Sequence, residues 1–102
     1  MNISTKLENC NLQIQFNCEL DHHVAKNIKE DLINMINKNI EIKTIEFDME
    51  TLSIMDSSGI GVLISIYKIM QSRNGNIVLK NPNRTIKKII ELSGLDKILD
   101  II

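Results

Sequence analysis

Two short segments hold the side chains able to do chemistry. They are Cys18-Glu19-Leu20-Asp21-His22-His23-Val24 and Leu52-Ser53-Ile54-Met55-Asp56-Ser57-Ser58-Gly59-Ile60-Gly61-Val62. In the second, Asp-Ser-Ser-Gly-Ile-Gly stands where a strand-to-helix connection leads into a helix. The first turn of a helix offers free N–H donors and a positive dipole end, so a phosphoryl group there is stabilised by both. Ser57 falls at or just before the N-cap, and Ser58 one residue later. Gly59 and Gly61 leave room for another chain to approach closely. The plainer role for Asp56, Ser57 or Ser58 is capping, which contributes about 1 kcal/mol.

Asp21, His22 and His23, with Cys18 and Glu19 upstream, are metal-ligand types. Their spacing argues against a metal, since neighbours at i and i+1 do not share a helix face and no i, i+4 partner is present. Ser57 lacks the Gly-x-Ser-x-Gly elbow of a hydrolase nucleophile. Neither a phosphate-binding lysine loop nor a dinucleotide fingerprint occurs. The residues therefore point to no enzyme, no metal and no cofactor.

The flanking patterns predict the elements that place these segments. Residues 3–8 and 12–18 alternate as strands, with Leu12, Ile14, Phe16 and Cys18 on one side of the second. Glu8-Asn9-Cys10-Asn11 joins them as a hairpin turn. Val24, Ile28, Leu32, Met35 and Ile36 recur at helical spacing through about Lys38, with Asp21 placed to cap that helix. Alternation returns at 43–49, with Ile45, Phe47 and Met49 on one face. A connection over 50–56 leads to a second helix over about 58–73, ended by Asn74-Gly75. Its Ile60, Leu63, Ile64, Tyr67 and Met70 form one apolar face, and Val62, Ile66 and Ile69 part of another. A strand over 76–80, a helix over about 83–92 with Ile86, Ile89 and Ile90 inward, and a closing strand within 97–102 complete the order. Strands alternating with helices after a leading hairpin imply an α/β fold. We expect a mixed, mainly parallel sheet of four to five strands with helices packed on it. Its partners should meet the loops at 19–23 and 50–59, beyond the strands' C-terminal ends.

Composition narrows the function. The 102 residues are read as one domain, 1–102, with no linker. Apolar residues make up 43 % and charged residues 25 %, which fits a folded globule rather than a disordered tail. Lys+Arg is 12 against Asp+Glu 13, so no basic excess is available to neutralise phosphates. One Tyr, two Phe and no Trp give no platform for stacking on bases. Nucleic acid is therefore excluded as a general partner. Cys10 and Cys18 on one extended segment would stand roughly 26 Å apart, while a disulfide needs less than about 7 Å. Reduced thiols fit a cytoplasmic protein. The N-terminus Met-Asn-Ile-Ser-Thr-Lys lacks the apolar run of a signal peptide. Ile60 to Met70, interrupted by Ser65 and Lys68, is too short to cross a bilayer. No membrane association is expected, and the free chain is expected to be a monomer.

Ile54-Met55-Asp56-Ser57-Ser58-Gly59-Ile60-Gly61-Val62-Leu63 resembles the signature of the STAS domain, shared by sulfate transporters and anti-sigma factor antagonists. Glu19-Leu20-Asp21-His22-His23 is similar to the sporulation branch, the anti-sigma F factor antagonists. Tyr67-Lys68 and Leu92-Ser93-Gly94-Leu95 fit the same family, and the resemblance spans roughly residues 7–100. It implies a phosphorylation-switched binding protein rather than an enzyme. The unphosphorylated form binds an anti-sigma factor that is also a serine kinase, which releases a sporulation sigma factor. The kinase phosphorylates the first serine after the motif aspartate, here Ser57, and a metal-dependent serine phosphatase reverses this. Asp21 matches a partner-contact position. The implied docking residues are Asp21, His22, Asp56, Ser57, Ser58, Gly59, Ile60 and Gly61.

Three features depart from the family. Cys18 replaces the glycine usual before Glu-Leu-Asp, Ser65-Ile66 replace a Gly-Arg pair, and the chain ends at Ile102, before the family's usual last helix. The kinase-facing surface is expected to survive that shortening. The alternatives are a STAS module of a general stress-response system, a small nucleotide- or lipid-binding protein using the loop at 50–59, and an enzyme.

Overall fold

The chain opens with a tight hairpin, β1 (Ile3–Glu8) and β2 (Asn11–Phe16), paired antiparallel with Glu8 opposite Asn11. Asn9 and Cys10 form its two-residue loop with φ of 52° and 67°. Left-handed conformations at both loop residues match the right-handed twist of the flanking strands. This computed structural model describes residues 2–102. There follow α1 (Ala25–Lys38), β3 (Thr44–Asp48), α2 (Ser57–Ser72), β4 (Asn76–Lys80), α3 (Arg84–Ser93), a 3₁₀ turn over Leu95–Lys97 and β5 (Asp100–Ile101). The sheet order is β1-β2-β3-β4-β5, with every pairing after the first parallel.

Strands laid down in chain order through crossovers of one hand put their helices on one face of the sheet. Burial along the strands agrees. Leu12, Ile14 and Phe16 of β2, Ile45 and Phe47 of β3, and Ile77 and Leu79 of β4 are buried, while Gln13 and Gln15 between them are exposed. Ile14, Phe47, Leu79 and Ile101 lie in register across four strands. The Phe16 and Phe47 rings stack at 5.8 Å. Over this layer α1 packs Ile28, Leu32 and Ile36. The two apolar faces of α2 are buried unequally. Val62, Leu63, Ile66 and Met70 are buried, whereas Ile60, Ile64, Tyr67 and Ile69 are only half-buried. The helix is apolar over most of its circumference, so periodicity does not select the inward stripe; packing beside α1 and β4 does.

The helix ends follow local chemistry with one exception. Asn83 caps α3 by accepting from the Ile86 N–H at 2.8 Å, and Gly94 ends it at φ 83°. At the end of α2 the Asn74 and Gly75 N–H groups donate back to Gln71 and Met70 carbonyls, a Schellman arrangement. Asn74 rather than Gly75 takes the left-handed conformation. Gly75 is needed for closeness, because a Cβ there would lie 2.6 Å from the Lys43 carbonyl oxygen. The exception is Asp21. Its side chain accepts from the His23 N–H at 2.9 Å within its own turn, and α1 starts at Ala25 with no side-chain cap.

Arg73 anchors the other end of α1. Its guanidinium donates to the Ile36 and Asn39 carbonyls at 2.6 and 3.1 Å, tying the C-terminus of α2 to that of α1. Arg73→Ala removes that donor pair and is expected to cost about 1–3 kcal/mol. A lower urea midpoint at unchanged slope is the readout; an unchanged midpoint would show the pair to be idle.

Candidate functional site

Because β2 and β3 are adjacent and parallel, the loops leaving their C-terminal ends run side by side. The two chemistry-bearing segments are those loops. Leu20 and Met55, both buried, extend the pairing as an isolated parallel bridge. Beyond it the Asp56 N–H donates to the Leu20 carbonyl at 3.4 Å.

Two carboxylates fasten the loops to each other. Glu19 accepts from the Ser53 and Ile54 N–H groups, each at 3.0 Å, and from the Ser53 hydroxyl. Asp56 is the N-cap of α2, accepting from the Ser58 and Gly59 N–H groups at 2.9 and 3.2 Å. Its other oxygen accepts the His22 N–H at 3.1 Å, with the His22 ring Nδ1 at 3.6 Å. Sequence reasoning missed the Glu19 clamp. Glu19 stands out only as a carboxylate facing no helix, and its partners lie 34 and 35 residues away.

The expected site residues separate into three groups. Asp56, expected among the docking residues, faces inward to cap α2 and hold His22. Gly59 is a correction. It is buried, and a Cβ there would fall 2.5 Å from Met55 Cγ and 2.7 Å from the Leu20 carbonyl oxygen. The space it leaves is filled by this chain's own loops. Ser57, His22 and Gly61 are exposed, and Asp21, Ser58 and Ile60 half-buried. Ser57 is the first helical residue of α2, one place further in than expected, because Asp56 takes the cap. Nothing lies within 4 Å of a Cβ built on Gly61.

Hydrogen bonding from the Ser53 side chain, then the Ile54 N–H, holds the Glu19 carboxyl below its ordinary value against slight desolvation. At Asp56 desolvation pushes up, but the N–H groups of Gly59, His22 and Ser58 and the His22 ring outweigh it and leave the carboxyl lowered. Burial, with Asp21 and Glu19 nearby, raises the Cys18 thiol, whose Sγ lies 3.6 Å from the Asn2 carbonyl. That shift favours the protonated thiol at Cys18, and both cysteines are free. Carboxyls lowered on folding stabilise above their unfolded values, roughly pH 4. That contribution is lost as pH falls through the folded values. Glu19→Gln should therefore lower stability at pH 7 and flatten its fall between about pH 5 and 3. Urea midpoints across that range check this, and a slope equal to that of the unmodified chain would contradict it.

Among the described residues no group of three or more His, Cys, Asp or Glu could hold a metal ion. The His22 and His23 rings instead lie against each other at 4.0 Å. No helix among them is long and apolar enough to cross a membrane.

The chain matches the STAS domain family over residues 2–102. It is 28 % identical over 103 residues to an anti-sigma F factor antagonist of Paenibacillus polymyxa, covering 99 % of this chain and 87 % of that one. The anti-sigma factor antagonist SpoIIAA in its unphosphorylated form superposes with a TM-score of 0.86 at 28 % identity, over 98 % of this chain and 87 % of that one. The phosphorylated form of the Bacillus cell fate determinant SpoIIAA superposes with a TM-score of 0.77 at 28 % identity, over 98 % and 90 %.

Proposed function

This chain belongs to the STAS-domain family, and from that premise we propose that it is an anti-sigma factor antagonist switched by phosphorylation of Ser57. The unphosphorylated form binds an anti-sigma factor that is also a serine kinase, and so frees a sporulation sigma factor in the cytoplasm. The kinase transfers the terminal phosphoryl group of ATP to Ser57 Oγ as the hydroxyl proton leaves. A serine phosphatase hydrolyses the ester and restores binding. The protein acts as substrate and switch rather than as catalyst.

One observation carries this reading. Ser57 is exposed at the start of α2, its hydroxyl making no hydrogen bond among the described residues, while the Asp56 carboxylate beside it is turned into the helix. The acceptor oxygen is therefore free to enter a kinase active site without unfolding anything. The SpoIIAA likeness in both phosphorylation states supports the reading, since that fold is seen with and without the modification.

Incubation with ATP and a purified anti-sigma factor kinase, followed by peptide mass mapping, tests it. Phosphate on Ser57 is the expected result. Phosphate confined to Ser58, or none at all, would overturn it. Recovery of a stress-response sigma system instead of the sporulation one, in a pull-down with and without ATP, would move the protein to that branch.

A further inference from the structure

A groove of about 260 Å³ runs between α1 and α2, lined by Lys26 and Lys29 on one side and Ser58, Gly61, Val62 and Ser65 on the other. The two lysines are three residues apart, so they share a face of α1. Both are exposed, and neither makes an ion pair among the described residues. Lys26 is the second residue of α1, where the positive helix end disfavours a cation, and that first turn holds no acidic residue. Glu30, one turn beyond Lys26, does not line the groove. On the α2 side a Cβ on Gly61 would meet nothing within 4 Å among the described residues, and the Ser65 hydroxyl is turned back onto the Gly61 carbonyl. Ser57 lies one helical turn before Gly61, on the same side of α2.

We propose that this groove receives an acidic segment of the protein partner, its carboxylates seated between Lys26 and Lys29. The inference rests on the proposed antagonist function and names what the partner must offer. It also supplies a reason for the switch beyond crowding. Two unpaired lysines give the groove a charge of about +2, and a phosphoserine at its end adds about −1.5 to −2. Phosphorylation thus neutralises the groove from within this chain and leaves the partner's carboxylates unpaired. The Ser58 and Gly59 N–H groups cannot take that role, because Asp56 already occupies them.

Calorimetric titration of the anti-sigma kinase with folded variants decides the matter. The paired variant Lys26→Glu/Lys29→Glu is expected to bind roughly tenfold to hundredfold more weakly. Its remaining affinity should change little between about 50 and 500 mM salt, where that of the unmodified chain falls. Lys87→Glu/Lys88→Glu on α3, the same charge change on exposed residues far along the chain, should bind as the unmodified protein does. If Ser57→Asp loses binding but the Lys26/Lys29 variants keep affinity and salt dependence, the groove assignment falls and the antagonist reading stands. If Ser57→Asp itself binds normally, the reading beneath it falls.

Discussion

Ser57→Asp is expected to abolish binding to the anti-sigma kinase while the far-ultraviolet circular dichroism spectrum stays unchanged. A loss of only 3 kcal/mol is already more than a hundredfold in Kd. The side chain is exposed, so the new charge meets water in the free protein and costs the fold little. The helix N-terminus does not absorb it, because the Ser58 and Gly59 N–H groups are bound to Asp56. A partner closing over this surface must strip water from a carboxylate beside the Asp56 charge. Ser57→Ala removes the acceptor and nothing else; it should bind and resist phosphorylation. Tight binding by Ser57→Asp, measured by calorimetry, would break the link between this hydroxyl and docking.

Gly59→Ala is the second substitution with a large expected effect, on stability rather than charge. The added methyl would sit 2.5 Å from Met55 Cγ, 2.7 Å from the Leu20 carbonyl oxygen and 2.9 Å from Leu20 Cγ. Met55 and Leu20 are 2 % and 0 % exposed, so neither can swing into solvent. The backbone of the 19–23 loop must move, which opens the bridge from Leu20 to Met55 and draws His22 from Asp56. Overpacking of this kind costs about 1–3 kcal/mol. Each kcal/mol lowers Tm by about 4–8 °C in a domain of this size. Gly61→Ala, two residues on, is the control: its Cβ meets nothing within 4 Å. There the better helix propensity of alanine should stabilise by up to about 1 kcal/mol. Thermal melts of the pair should move in opposite directions; a Gly59→Ala melt no lower than that of the unmodified chain would show the loops to be less tightly joined than described.

The two glycines show how far a linear reading reaches. Both stand in one motif, and at sequence level both look like room for a partner. Only the packed loops reveal that the first is filled by Leu20 and Met55 and the second is open. The same holds for carboxylates. Asp21 and Asp56 each precede a helical pattern and are equal candidates for caps. Asp56 caps α2, while Asp21 closes a turn of its own and leaves α1 without a side-chain cap. Local preference cannot decide between a cap and a short Asx turn, since both satisfy a carboxylate with nearby N–H groups.

Strand alternation, helical periodicity and turn residues are local, and they were enough to set the order of elements, the hairpin at Asn9-Cys10, the core residues of β2 and β3, and the place of Ser57 at the start of a helix. Those features depend on interactions a few residues apart, where the chain itself dictates geometry. Which stripe of α2 faces inward, the Glu19 clamp on Ser53 and Ile54, the Arg73 tie to α1 and the lysine-lined groove depend on groups about thirty residues apart or more. Their distances exist only once the parallel sheet has brought the two loops and two helices together, so tertiary structure alone decided them.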